Sequence, residues 1–181
     1  MENLYPEGST LFAPPPYDQK LYTLLMDYCL RIMGRKSYSV RELSTKMKQK
    51  VKRLEKYTPG RDTSTDELAM TAVLAKLQEW NYLSDKKIIE YSLDAATTYK
   101  PQGRTAFVYS MMKKGINKDE AHTAWATKNV DERKLAAEVM KKYTAKYAKF
   151  PLQDRKRKMA GLLARKGFSG EVVWSAIEKM H

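Results

Sequence analysis

From Lys20 to Met33 the apolar residues Leu21, Leu24, Leu25, Tyr28, Cys29 and Ile32 fall three or four positions apart, the pattern of one buried helical face. Gly34 closes that stretch. Ser39 followed three residues later by Glu42 predicts a capping box, and Leu43 and Met47 predict the inner face of a second helix. Thr65, Asp66 and Glu67 open a third, acidic at its positive end, with Met70, Val73, Leu74 and Leu77 as its stripe. After Trp80 to Leu83, Ser84 and Asp85 start a fourth helix, whose face of Ile88, Ile89, Ser92, Leu93 and Ala96 runs up to Tyr99. Pro101 and Gly103 break it. Two more helices are predicted over 104–114 and 118–128, the latter with a light stripe of Ala121, Ala124 and Trp125. Asp131 and Glu132 begin the last group, Pro151 interrupts it, and Val173, Ala176, Ile177 and Met180 close it. The predicted fold is all-α.

These helices repeat. Met111, Met112, Lys113, Lys114, Gly115, Ile116, Asn117 returns as Leu163, Ala164, Arg165, Lys166, Gly167, Phe168, Ser169, a period of 52 from Gly115 to Gly167. Each phrase reads as a helix end, a left-handed turn and the cap of the next helix. A third copy lies earlier in the chain: Leu25, Tyr28, Cys29 recurs as Ile88, Tyr91, Ser92 and as Met140, Tyr143, Thr144. Leu43, Met47 and Lys50 align with Phe107, Met111 and Lys114 and with Met159, Leu163 and Lys166. The expected organisation is therefore a Pro-rich flexible tail over 1–19 and three tandem three-helix repeats over 20–83, 84–130 and 131–181. The first repeat is longer by a loop expected over 51–65, marked by Pro59 and Gly60.

Charge then changes the picture. With 34 Lys and Arg against 21 Asp and Glu the chain carries +13, a positive field that draws polyanions. Nucleic acid is the first candidate partner and an acidic protein surface the second. One cysteine excludes an internal disulfide, and the equivalence of Cys29 with Ser92 and Thr144 makes it a small core-facing residue. No run of apolar residues has the length of a membrane span and the start lacks a signal-peptide order, so a cytoplasmic, monomeric protein without a membrane partner is expected.

Catalysis finds little support. His122 and His181 are the two histidines, too few and too far apart for a metal cluster or a Cys–His pair. Gly34, Arg35, Lys36, Ser37 imitates the end of a phosphate-binding loop but lacks its first glycine and follows a helix. The reading is of a protein that is not an enzyme and uses no cofactor. The candidate site is instead a basic strip: Lys50, Arg104, Lys113, Lys114, Lys141, Lys142, Lys146, Arg155, Lys156, Arg157, Lys158, Arg165 and Lys166. Lys50, Lys114 and Lys166 hold equivalent places, so stacked repeats would range them along one side, as a phosphate backbone requires. Lysines at helix C-termini are also favoured by the dipole alone. The repeated Tyr28, Tyr91 and Tyr143 are expected in the core, in preference to base-stacking platforms.

The order of Val73 to Leu77, then Asn81, Tyr82, Leu83, Ser84, Asp85, then Lys114, Gly115, Ile116 and finally Arg165, Lys166, Gly167, Phe168 resembles the RecX family of bacterial regulatory proteins across about Leu21 to Met180. Two positions depart from it: Asn81 stands where that family usually has Gly, and Ala106 where it often has Arg. The resemblance implies an elongated, curved array that lies in the groove of the RecA recombinase filament on single-stranded DNA. It further implies inhibition of filament growth, ATP hydrolysis and strand exchange in DNA repair and recombination. Two other readings stand beside it. One is a stand-alone basic DNA- or RNA-binding protein that does not act on RecA, and the other a helical adaptor for an acidic protein.

Overall fold

The computed structural model describes residues 15–180 and is all-α, with nine α-helices and no strand among the described residues. The flexible tail expected over 1–19 lies, as far as residue 14, outside them. The helices form three successive triplets: α1 (Gln19–Met33), α2 (Val40–Tyr57) and α3 (Asp66–Glu79); α4 (Asp85–Asp94), α5 (Arg104–Lys113) and α6 (Lys118–Thr127); α7 (Glu132–Tyr147), α8 (Leu152–Arg165) and α9 (Gly170–Glu178). By packing they make two compact units, one of residues 15–36 and 43–83, the other of residues 37–42 and 84–180.

In the first unit, Asp18 caps α1 by accepting the N–H groups of Lys20 at 2.8 Å and Leu21 at 3.3 Å, so helix starts within the segment expected as tail. Leu21, Leu25 and Cys29 are buried where α1 meets α3, whose own stripe is Ala69, Met70, Val73 and Leu77. The second helix runs further than expected. Leu43, Met47 and Val51 recur every fourth residue on one buried face, so α2 carries the basic run to Tyr57 and the connection shrinks to residues 58–65. Within that connection Arg61 forms a fork on buried Asp66, with Nη1 to Oδ1 at 2.7 Å and Nη2 to Oδ2 at 2.5 Å. Thr65 does not cap α3 with its side chain; its Oγ1 accepts the Asp18 N–H at 3.3 Å.

The second unit holds one continuous core. Phe107 and Met111 of α5, Trp125 of α6, Leu135 and Val139 of α7, Met159 and Leu163 of α8 and Phe168 before α9 are all buried in it. Phe107 and Trp125 meet with ring centroids 5.3 Å apart. Every helix start here but two is capped by a side chain: Ser84, Asn117, Asp131 and Ser169 accept N–H groups of α4, α6, α7 and α9. The exceptions, Gly103 before α5 and Pro151 before α8, offer no side-chain acceptor. The α4 helix continues to Tyr99 as predicted, its last stretch Ala95–Tyr99 widening into a π-helical turn.

Candidate nucleic-acid interface

The turns that end the helices position the site. Gly115 and Gly167 adopt φ of 82° and 78°, the left-handed closure predicted for both repeated phrases. Asn81 takes φ 57° in the place of the expected glycine, and Asn129 takes φ 48° at the matching turn before α7. Asn129 went unread in the sequence, although an Asn just past a helical stripe is a cap signal.

Two of these turns also receive the start of another helix. Ser39 Oγ donates to the carbonyl of Lys114. The Ser39 N–H donates to Glu42 Oε2 at 3.0 Å and Ser39 Oγ accepts in return from the Glu42 N–H at 3.1 Å, completing the predicted capping box. Sixty-four residues on, in the register that takes Leu43 to Phe107, Gly103 N–H donates to the carbonyl of Lys166 at 2.8 Å and Thr105 N–H to that of Gly167 at 3.2 Å. A side chain on Gly115 would overlap the aliphatic stem of Arg41, and one on Gly167 would overlap the backbone of Ala106. Ala106, the departure from Arg noted above, is thus a residue on which a backbone turn rests.

This joint takes two residues of the expected strip. Lys114 Nζ stands 3.8 Å from Glu42 Oε2 and Lys166 Nζ donates to the Pro101 carbonyl at 2.9 Å. Lys50, the third of the equivalent lysines, lies in the first unit with Nζ 5.9 Å from the centre of the Tyr28 ring. Lys113 sits at the end of α5 over Tyr109, 4.6 Å from its ring centre, and Arg165 is exposed in the last turn of α8. Arg104 is exposed at the start of α5, and its backbone N–H and charge reach Glu132. Burial is the larger influence there and holds the Glu132 carboxyl above its ordinary range.

The remaining members gather at one corner, where α7 ends and α8 begins. From Lys141 to Lys158 stand eight Lys or Arg and one acid, Asp154, which pairs with Arg157 Nη2 at 3.1 Å. Phe150 draws together a cation of the turn after α7 and one of α8: Lys149 Nζ is 5.4 Å and Lys158 Nζ 4.4 Å from its ring centre. Tyr143 stacks on Tyr147 at 6.3 Å with Lys146 Nζ 5.9 Å from its ring. Lys141, Lys142, Lys146 and Lys149 are exposed, and Lys156 and Lys158 are half-buried beside exposed Arg157. Arg155 keeps its Nε buried without a hydrogen-bond partner.

Of the repeated tyrosines, Tyr143 packs half-buried against the core and Tyr28 is half-buried, but Tyr91 is not the core residue expected, being 83% exposed. At 100° per residue Tyr91 lies about 140° round α4 from the centre of the stripe formed by Ile88, Ile89, Leu93 and Ala96. Ile89 turns the buried face away from it. Cys29 does fill the core, at 0% exposure.

Comparison with known proteins bears on this arrangement. The family model described as RecX, third three-helix domain, matches residues 131–177. The regulatory protein RecX of Pelodictyon phaeoclathratiforme is 26% identical over 152 residues, covering 84% of this chain and 86% of that protein. That of Amycolatopsis mediterranei is 24% identical over 168 residues, covering 91% and 86%. That of Leuconostoc mesenteroides is 20% identical over 156 residues, covering 86% of this chain, which spans about half, 54%, of that relative's length. Among solved structures, RecX from Lactobacillus salivarius superposes with a TM-score of 0.67 at 17% identity, over 88% of this chain and 96% of that one. A second regulatory protein RecX gives a TM-score of 0.65 at 19% identity, over 88% and 72%. These two likenesses show the fold.

Proposed function

We propose that this chain, similar along most of its length to proteins named regulatory protein RecX, is a RecX-type regulator that binds the RecA filament on single-stranded DNA and inhibits its ATPase, growth and strand exchange. It does so as a cytoplasmic monomer, without catalysis or cofactor of its own. Among the described residues no helix is long and apolar enough to cross a membrane.

The observation that carries the nucleic-acid half of this reading is the position of the cations on α8. Lysine at a helix C-terminus complements the dipole, so Lys113, Lys114, Arg165 and Lys166 need no ligand to explain them. Arg155, Lys156, Arg157 and Lys158 lie in the amino-terminal half of α8, the positive end, where they gain nothing from the dipole and repel one another. Asp154 balances Arg157 alone, and a polyanion supplies the rest of the counter-charge. The four lysines of α7 and the turn after it extend the same field, and contact with several phosphates at once adds the effective concentration of a multivalent ligand. Regulation follows if the protein, held on the filament by phosphates and by protein contacts together, blocks addition of protomers or the cycling of those already bound.

The test is RecA ATPase on single-stranded DNA with increasing amounts of this protein. Loss of turnover at substoichiometric protein, relieved by rising salt, supports the proposal. Unchanged turnover together with strong DNA retention would instead favour a stand-alone nucleic-acid-binding protein.

A further inference from the structure

Within the second unit an open groove of about 910 Å³ runs between α4 and α6. Its lining is mainly apolar, with Ile89, Leu93 and Ala124 beneath, and its rim is acidic, with Glu90, Asp119 and Glu120. Of the cations beside it, Lys86 and Lys128, the second is held by Asp94 Oδ1 at 2.8 Å. A chain of net charge +13 thus surrounds an apolar cleft with excess negative charge.

The repeat supplies an internal comparison. Fifty-two residues later a smaller cleft of about 180 Å³ lies between α7 and α9, sharing with the first the positions of Ala137, Val172, Ser175, Ala176 and Lys179. In that register Asp85, Glu120 and Thr127 of the first cleft become Ala137, Val172 and Lys179, so the acidic rim belongs to the α4–α6 groove and is not a property of the repeat. Asp119 and Glu120 lie in the first turn of α6, where the helix dipole favours acid. Glu90 lies in the second half of α4, where it does not.

Resting on the reading above, we propose that the α4–α6 groove docks a short cationic amphipathic helix of the recombinase. Both walls are ten residues long, about 15 Å, which suits two or three helical turns. Apolar residues four apart on that segment settle on Ile89, Leu93 and Ala124, and its Lys or Arg residues face Glu90, Asp119 and Glu120. The cationic α7–α8 corner and this groove then divide the filament between them, the first meeting phosphate and the second meeting protein. Opposite charge across the groove sets partner choice and encounter rate more than raw affinity.

Photo-crosslinking tests this. Thr123 is exposed on the groove wall, so Thr123→Cys in a Cys29→Ser background takes one benzophenone maleimide; Ser92 already fills the place of Cys29 in the second triplet. Photolysis on RecA filaments is expected to give an adduct on a helical RecA segment rich in Lys and Arg. Glu90→Lys with Glu120→Lys should cut that adduct at least tenfold and weaken ATPase inhibition. Both sites are exposed and the third triplet carries Lys at the first, so the fold tolerates the change. Adducts absent, or on DNA, while inhibition persists would overturn the groove assignment and leave the RecA reading standing. If RecA turnover is unaffected by the protein, the broader reading falls and a peptide probe decides the groove alone. A labelled 14-residue Leu–Lys helix should bind at least tenfold more tightly than its Leu–Glu twin, and equal binding sinks the proposal.

Discussion

Gly103 N–H donates to the carbonyl of Lys166 at 2.8 Å, which fastens the start of α5 to the turn closing α8. The equivalent bond one repeat earlier runs from Ser39 Oγ to the carbonyl of Lys114. The two bonds end on carbonyls that a helix terminus leaves without an internal partner, so each turn is satisfied by its neighbour instead of by water. Small residues are required wherever this happens.

That requirement separates three glycines that share positive φ. Gly60, Gly115 and Gly167 all lie near φ 80°, but Gly60 has nothing within 4 Å of a would-be side chain. Gly60→Ala should therefore lose only the cost of a left-handed residue, about 1 kcal/mol. Gly167→Ala adds an overlap with the backbone of Ala106, which cannot swing aside, and should lose about 3 kcal/mol or more. Gly115→Ala meets the flexible stem of Arg41 and should fall between. Urea unfolding of the three variants orders them; equal losses would mean that the joint does not bear on the turn.

The basic strip should split in the same way. Lys166→Met removes a donor from the Pro101 carbonyl, so it should lower stability by about 1 kcal/mol with little change in affinity for single-stranded DNA. Lys156→Gln with Arg157→Gln should leave stability within about 0.5 kcal/mol and weaken DNA binding. The slope of log K against log salt should fall by about 0.7 for each phosphate that the variant no longer neutralises. Anisotropy titrations at several salt concentrations, beside thermal melts, check both. A larger DNA defect in Lys166→Met than in the α8 pair would reverse the assignment.

Much of this fold was legible because period and caps agreed. The stripe of Leu21, Leu25 and Cys29, the capping box of Ser39 and Glu42 and the turns at Gly115 and Gly167 each follow from local chemistry, and each is found where it was expected. What escaped was tertiary. That Lys114 and Lys166 serve a joint depends on which backbone approaches them, and no spacing rule reports that. Tyr91 misled because a residue three after Ile88 shares its face only if Ile89 does not pull the face round. The α4–α6 groove was invisible for a related reason: Asp85, Asp119 and Glu120 are explained as acids at helix starts, and only their assembly over Ile89 and Leu93 makes a surface.

Cys29 offers a check on the first unit. Burial raises its thiol from 9.0 to about 12, so at pH 8 the native protein holds roughly one thiolate in ten thousand. Maleimide or disulfide reagents should leave native Cys29 unlabelled and should modify it at the rate of unfolding. Because the folded thiol keeps a proton that the unfolded one loses above pH 9, stability should decline as pH rises from 9 towards 12. Cys29→Ser should remove that decline, and rapid labelling of the native protein at pH 8 would contradict the burial.

Glu132 sets the last expectation, at the base of α7. Its carboxyl is held above the usual range chiefly by burial, which outweighs the backbone N–H and charge of Arg104 and the indole N–H of Trp125, and its Oε2 has no hydrogen-bond partner. A raised carboxyl means that the folded state binds more protons than the unfolded one between the two titrations, so this residue costs stability as pH rises through that window and continues to cost it at neutral pH. Glu132→Gln keeps an acceptor for the Arg104 N–H while removing the buried charge. It should raise the melting temperature at pH 7 and lose that advantage as pH falls below the ordinary glutamate value of about 4.3. Melts at pH 7 and pH 4 decide it. A lower melting temperature for the variant at pH 7 would mean that the attraction of Arg104 and Trp125 for the carboxylate exceeds the penalty of burying it.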